Sequence, residues 1–211
     1  MRLRDLISND YRNPRATDAF RRVFCSPTAR YVSIGGGPNR PSSWLINVNI
    51  AREANVDVLG DVYALPFADA SVDALYCEAL LEHLREPARA IGEMSRVLKP
   101  GGLVYAVTPF LQPYHGYPDH FQNYTLLGHE ELFRAGAFAV EESGACVGAA
   151  VMVCDMVTAV IDTHVPGLFR FPVRWGWLLF GAAIRPLDRF FNRSADGHVL
   201  ASTTFVVARK G

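Results

Sequence analysis

The sequence predicts an α/β fold built on a mainly parallel sheet covered on both faces. Three observations point there. Short β-branched apolar runs recur along the first half of the chain, as in strands buried on both sides. They alternate with a helix-period segment and with turn-rich connections. The first run, Tyr31–Ile34, ends in Gly35-Gly-Gly37-Pro38, a turn in which the main chain is free to approach a ligand closely.

The elements follow in order. Residues 1–29 form a polar, arginine-rich N-terminal extension, with a short helix from Ala16 to Phe24 whose apolar side is Phe20, Val23 and Phe24. Tyr31–Ile34 is the first strand and Trp44–Ile50 the second. Only Gly35 to Ser43 separates them, and parallel crossovers usually run to a dozen residues or more. The first crossover is therefore short and lacks a regular helix. Val56–Leu59 and Val72–Cys77 are the third and fourth strands. Pro87–Leu98 is a helix with Ile91, Met94 and Leu98 on one face, stopped by Lys99-Pro-Gly-Gly102. Leu103–Val107 is the fifth strand, Thr125–Ala135 a helix capped at Gly136, Phe138–Glu142 a strand, and Thr203–Ala208 a closing strand. An apolar helical insertion occupies about 148–191.

Composition narrows the function classes. The chain has 211 residues, half hydrophobic and a fifth charged, with zero formal net charge. That suits a single domain with a full core and gives no basic field for nucleic acid. The four cysteines, Cys25, Cys77, Cys146 and Cys154, show no metal-ligand spacing and fit buried thiols in a reducing compartment. Met1 to Ile7 lacks the apolar core of a signal peptide, and no apolar run reaches the length of a bilayer span. A cytoplasmic protein is expected.

In a parallel α/β sheet, ligands sit beyond the carboxyl ends of the strands. Attention falls on Gly35–Gly37, Asn49, Asp61, Cys77, Glu78 and the segment after Val107. Three blocks then carry a family resemblance. These are Tyr31–Pro38, the run Gly60-Asp-Val-Tyr-Ala-Leu-Pro-Phe-Ala-Asp-Ala-Ser-Val-Asp-Ala-Leu75, and Leu80-Leu-Glu-His83 followed by Arg96-Val-Leu-Lys-Pro-Gly-Gly102. In order and spacing they resemble the S-adenosylmethionine-dependent methyltransferases of the Rossmann-like class, close to the UbiE-like small methyltransferase domain.

The resemblance implies a seven-stranded, mostly parallel sheet with an antiparallel last strand, and S-adenosylmethionine bound over strands one to four. It implies that Gly35, Gly36 and Gly37 pass beneath the cofactor and that Asp61 accepts from the adenine amino group with the Val62 main chain nearby. It further implies that Cys77 and Glu78 flank the methionine end. Two positions depart from the family pattern. Ser33 stands where an acid is usual in the glycine motif, and Asn49 where an acid usually grips both ribose hydroxyls. An amide offers one accepting oxygen and makes weaker, uncharged hydrogen bonds. These departures keep a second reading open, a catalytically inactive methyltransferase-like binding module. A nicotinamide dehydrogenase fits less well, because Gly37 leads into Pro38 and not into a helix.

After strand five, Tyr114, His115 and His120 stand where an acceptor would approach the methyl group, and a histidine suits removal of an acceptor proton. The same loop reads equally as an aromatic cover that shields the site from water. His115 and His120 with Asp119 have a spacing that a metal could use, but loop geometry is not legible in sequence, and no metal ligands are assigned. Glu82 and His83 read as a hydrogen-bonding pair at a helix start, Asp69 and Asp73 as turn and cap residues, and His129 as incidental.

Residues 165–193 combine Arg170, Arg174, Arg185, Arg189 and Arg193 with Phe169, Phe171, Trp175, Trp177, Phe180, Phe190 and Phe191. A helix starting near Arg174 and interrupted by Pro186 is expected. Such a segment reads either as a lid or homodimer interface, the reading favoured, or as a helix in peripheral contact with the inner membrane face. Both point to a large or lipid-linked acceptor over a small polar metabolite, within the wider expectation of a small-molecule or lipid- or glycan-linked acceptor.

Overall fold

The computed structural model describes residues 12–38, 42–116 and 119–211. The first eleven residues of the expected extension, and Pro41, Tyr117 and Pro118 of the loops discussed above, lie outside the described residues. Seven strands form one sheet: β1 Tyr31–Ile34, β2 Leu45–Asn49, β3 Val58–Leu59, β4 Val72–Glu78, β5 Leu98–Pro109, β6 Phe138–Val147 and β7 Thr203–Lys210. Their spatial order is β3-β2-β1-β4-β5-β7-β6. Strands β1 to β5 pair in parallel, and β7 runs antiparallel between β5 and β6. The mixed seven-stranded sheet with its reversed last strand is therefore as expected. The short first crossover also holds, since the described residues between β1 and β2 contain no helix.

Helix α1, Pro14–Val23, covers one face of the sheet. Its N-cap Asn13 accepts from the Arg15 N–H at 3.0 Å, and Ala16, Ala19 and Val23 pack on Tyr31, Tyr76, Tyr105 and Phe205. Tyr76 and Tyr105 stack at 5.9 Å between ring centroids, and the Tyr105 hydroxyl donates to the Ala16 carbonyl at 3.0 Å. On the opposite face lie α2, Pro87–Val97, and α3, Leu126–Ala135. Ile91, Met94, Val97 and Phe133 bury there against Val32, Leu75, Val104 and Val206. The α3 N-terminus is capped by Thr125 Oγ1, which accepts from the Gly128 N–H at 3.1 Å.

Several boundaries differ from the expected ones. Helix α2 ends at Val97, and the chain passes directly into β5, which begins at Leu98 and not Leu103. Lys99-Pro-Gly-Gly102 is thus a bulged strand start, with a register shift opposite Val72–Ala74. Strand β6 continues to Val147, because its second half pairs with the far end of β7. The insertion between β6 and β7 holds α4, Ala149–His164, and α5, Gly167–Ile184, then short turns as far as His198. Helix α5 starts at Gly167, not near Arg174, and contains Pro172. The two helices are pinned by Arg174 to Asp162 at 2.8 Å and by the Trp177 indole N–H to the Cys154 carbonyl at 3.2 Å. Leu168, Phe171, Leu179 and Phe190 of this region remain exposed. Among the described residues no helix is long and apolar enough to cross a membrane. All four cysteines are free thiols; three are buried, but Cys25 is exposed, against the expectation for it.

Candidate functional site

A cavity of about 160 Å³ opens where the carboxyl ends of β1, β2 and β3 meet the turn after β4. Ile34, Val48, Val62, Leu80 and Leu84 form its apolar wall; Asn49 and Asp61 supply polar groups. Gly35 lies on the rim with φ +71°, a conformation that side chains other than glycine rarely adopt. A Cβ built there would stand 2.7 Å from Leu80 Cδ1, so Leu80 is seated directly against bare main chain. The Asn49 amide donates to the Ala51 carbonyl at 3.2 Å, and Asp61 Oδ1 accepts from the Tyr63 N–H at 2.9 Å. Each side chain is thereby oriented by its own strand end, with one oxygen not used in those bonds.

The glycine loop is held by side chains absent from the expected set. Asn47 is fully buried on β2 and donates to the carbonyls of Gly37 and Asn55, both at 2.9 Å. Asn55 donates in turn to the Pro38 carbonyl at 3.1 Å. Ser33, the cross-strand neighbour of Asn47, is buried with its hydroxyl unpartnered. The connection after β3 is fixed by Arg96. Its guanidinium donates to the carbonyls of Leu65 and Phe67 at 2.9 Å and pairs with Asp69 at 2.7 Å and Glu93 at 2.8 Å. The two sequence blocks Gly60–Leu75 and Arg96–Gly102 thus belong to one scaffold. Asp69 is an ion-pair partner within it, beyond a turn residue.

Of the residues expected at the cofactor, Gly35, Asn49, Asp61 and Val62 line the cavity, while Gly36, Gly37, Cys77 and Glu78 do not. The Cys77 side chain is buried in the core, and burial pushes its thiol pKa up. The Glu78 carboxylate is taken by Arg12 and the Tyr76 hydroxyl, on the α1 side of the sheet. Sequence reasoning did not place Leu80, Leu84, Ile50 and Tyr63 at the cavity, although Tyr63 and Leu80 stand in the quoted blocks.

A second cluster lies beyond the neighbouring ends of β4 and β5. The loop after β5 brings His115 and His120 together, with ring centroids 4.4 Å apart, and Tyr114 stacks on His120 at 5.7 Å. Glu82, on a single 3-10 turn after β4, is fully buried, and neither carboxylate oxygen has a hydrogen-bond partner from another residue. The expected hydrogen-bonded pair of Glu82 and His83 is not formed. His83 Nε2 stands 3.7 Å from Glu82 Oε1, and His115 Nε2 3.8 Å from the same oxygen, both beyond hydrogen-bond range. Burial pushes the Glu82 carboxyl up to about 7, with the charge of Glu78 adding to it and its own main-chain N–H opposing. Burial also lowers the His83 pKa, opposed by its hydrogen bond to the Asp119 carbonyl.

Comparison with known proteins agrees with the fold. A methyltransferase domain family model matches residues 41–106. A demethylmenaquinone methyltransferase from Renibacterium salmoninarum is 41% identical over 73 residues, covering 34% of this chain and 30% of that protein. The aligned region spans about a third or less of the curated relatives it matches. Among solved structures, the [4+2]-cyclase SpnF aligns with a TM-score of 0.59 at 20% identity, over 93% of this chain and 80% of that one. A Haemonchus contortus phosphoethanolamine N-methyltransferase in complex with phosphomonomethylethanolamine and S-adenosylhomocysteine aligns with a TM-score of 0.53 at 14% identity, over 93% of this chain and 52% of that one. At such identities the structural likeness concerns fold alone. Residues 41–106 resemble the methyltransferase domain family, and the strand order is that of the Rossmann-like fold of these structural neighbours, which include S-adenosylmethionine-dependent methyltransferases.

Proposed function

We propose that this chain binds S-adenosylmethionine in the cavity at Gly35, Asn49 and Asp61 and transfers its methyl group to a small-molecule or lipid- or glycan-linked acceptor. The observation that carries this reading is the cavity itself. It combines apolar walls for a flat base, two polar side chains at the strand ends and side-chain-free main chain at Gly35. Asn49 would hold a ribose hydroxyl, and Asp61 the adenine amino group, with the Val62 main chain alongside. A bound sulfonium supplies an already activated methyl group, so this chain's task is mainly to hold the acceptor in line. The loop bearing Tyr114, His115 and His120 stands beyond β5, beside the turn whose Leu80 and Leu84 wall the cavity. We assign it to the acceptor, with His115 and His120 near the acceptor's reacting atom and Tyr114 covering them. The exposed apolar residues of α4 and α5 support a lid or a surface for self-association.

Calorimetry with S-adenosylhomocysteine tests the assignment. Micromolar binding is expected for the wild type. Gly35→Val adds a branched side chain where a lone Cβ already meets Leu80 at 2.7 Å, and should weaken binding by at least ~10-fold. No binding by the wild type, or full affinity in a folded Gly35→Val variant, removes the cavity as the cofactor site.

A further inference from the structure

We propose that Glu82, His83 and His115 form a binding site for a divalent transition-metal ion of the zinc class. The inference rests on where lone pairs point, and it stands independently of methyl transfer. The Nδ1–H of His83 donates to the Asp119 carbonyl, and the Nδ1–H of His115 donates to the Pro113 carbonyl at 3.0 Å. A neutral imidazole that donates from Nδ1 carries its lone pair on Nε2. Both Nε2 atoms are the ones nearest Glu82, at 3.7 and 3.8 Å from Oε1. The carboxylate between them is fully buried and receives no donor. Three lone-pair-bearing atoms therefore converge with no donor from another residue among them, an arrangement that favours a cation in the middle.

Distances and ligand chemistry favour a metal ion. Tetrahedral ligands at about 2.05 Å from zinc lie about 3.3 Å from one another, the two Nε2–Oε1 separations exceed this by only a few tenths of an ångström, and all three ligand atoms lie within 4.8 Å of one another. Two imidazoles and one carboxylate are a recurrent ligand set that leaves further positions open. Carbonyls on the distal ring nitrogens are the outer-shell partners such histidines use. His120 belongs to that outer shell and is not a ligand. Its Nδ1 accepts from the His115 main-chain N–H at 3.1 Å, and its Nε2–H donates to Asn123 Oδ1 at 2.7 Å, so both nitrogens are occupied. Asn123 is anchored to the Gln112 carbonyl at 3.1 Å. The His115 side chain is 42% exposed, which leaves an entry path for the ion.

The test uses the full chain, stripped with a chelator and titrated with Zn²⁺ by calorimetry and with Co²⁺ by visible absorption. One ion per chain is expected, with Co²⁺ bands of a four- or five-coordinate N/O site. His115→Ala, on an exposed loop, should weaken binding by at least ~100-fold, and His120→Ala by about 10-fold. His164→Ala, on the exposed end of α4, should leave binding unchanged and controls for surface histidines. Glu82→Gln should reduce affinity while circular dichroism reports the fold. Absence of stoichiometric uptake overturns the proposal, as does uptake that His115→Ala does not alter. Neither result bears on S-adenosylhomocysteine binding, so the two sites are judged separately.

Discussion

His129 yields a prediction whose size follows from the structure. Its ring is fully buried under the ends of β5 and β7, with Nδ1 3.3 Å from Thr108 Oγ1 and 3.1 Å from Thr204 Oγ1, and Nε2 without a partner. Burial pushes its pKa down from 6.5 to about 3. Between those values the unfolded chain binds a proton that the folded chain does not, so folding stability falls as the pH falls through the window. A proton bound only in the unfolded state changes stability by about 1.4 kcal/mol per pH unit. The loss is under ~0.1 kcal/mol at pH 7.5, about 1.4 at pH 5.5 and about 2.7 at pH 4.5. His129→Phe fills the same space without titrating. Removing the contact to the two threonine hydroxyls shifts that variant's stability by the same amount at every pH, and other titrating groups cancel on subtraction. Urea unfolding of both proteins at pH 7.5 and 5.5 therefore isolates the term. The wild type should lose about 1.4 kcal/mol more than His129→Phe. Equal losses would mean that His129 is protonated in the native state, and that the burial argument is wrong. The result matters for the site because β5 runs directly into the loop with His115 and His120.

Two further outcomes follow from single side chains. Asn47→Ala removes the donor to Gly37 and Asn55 and leaves two carbonyls unsatisfied near the glycine loop, a loss of about 2–4 kcal/mol in urea unfolding together with weaker S-adenosylhomocysteine binding. Asp188, fully buried, accepts from the Ala150 N–H at 2.7 Å and the Val151 N–H at 3.1 Å, capping α4 from a distant turn, and Asp188→Ala should cost about 1–2 kcal/mol and speed proteolysis within residues 149–198.

Much of the sheet was legible because buried parallel strands are dense in Val, Ile and Leu, and because the turns between them are marked by Gly, Asp and Pro. Tyr31–Ile34 and Val72–Cys77 are in place almost to the residue. Boundaries failed where pairing across the sheet overrides local signals. Leu98–Gly102 carries helix-stop residues yet joins β5, since β4 extends far enough to pair with it. The cavity was legible at Gly35, Asn49, Asp61 and Val62, which directly follow strands. Leu80 and Leu84 were not, because nothing in a pair of leucines says which faces a cavity. Glu82 and His115 are far apart in sequence and meet only because β4 and β5 are parallel neighbours whose carboxyl ends coincide.

The first crossover bears on which nucleoside-type ligand the fold suits. In dinucleotide-binding sheets the glycine turn opens a helix, and the helix N-terminus supplies N–H groups and partial positive charge to a pyrophosphate. Here the described residues after Gly35 hold no helix, and the loop is gripped from below through its Gly37 and Pro38 carbonyls by Asn47 and Asn55. The described residues of that loop offer no helix N-terminus to a phosphate. The cavity offers instead apolar walls, one carboxylate at Asp61 and one amide at Asn49. An adenosine with a sulfonium tail requires no anion site, so a glycine turn without a helix N-terminus suits it better than it suits a pyrophosphate. The departures at Ser33 and Asn49 remove acids from the motif but leave this discrimination intact, because it is set by the crossover, whose described residues hold no helix.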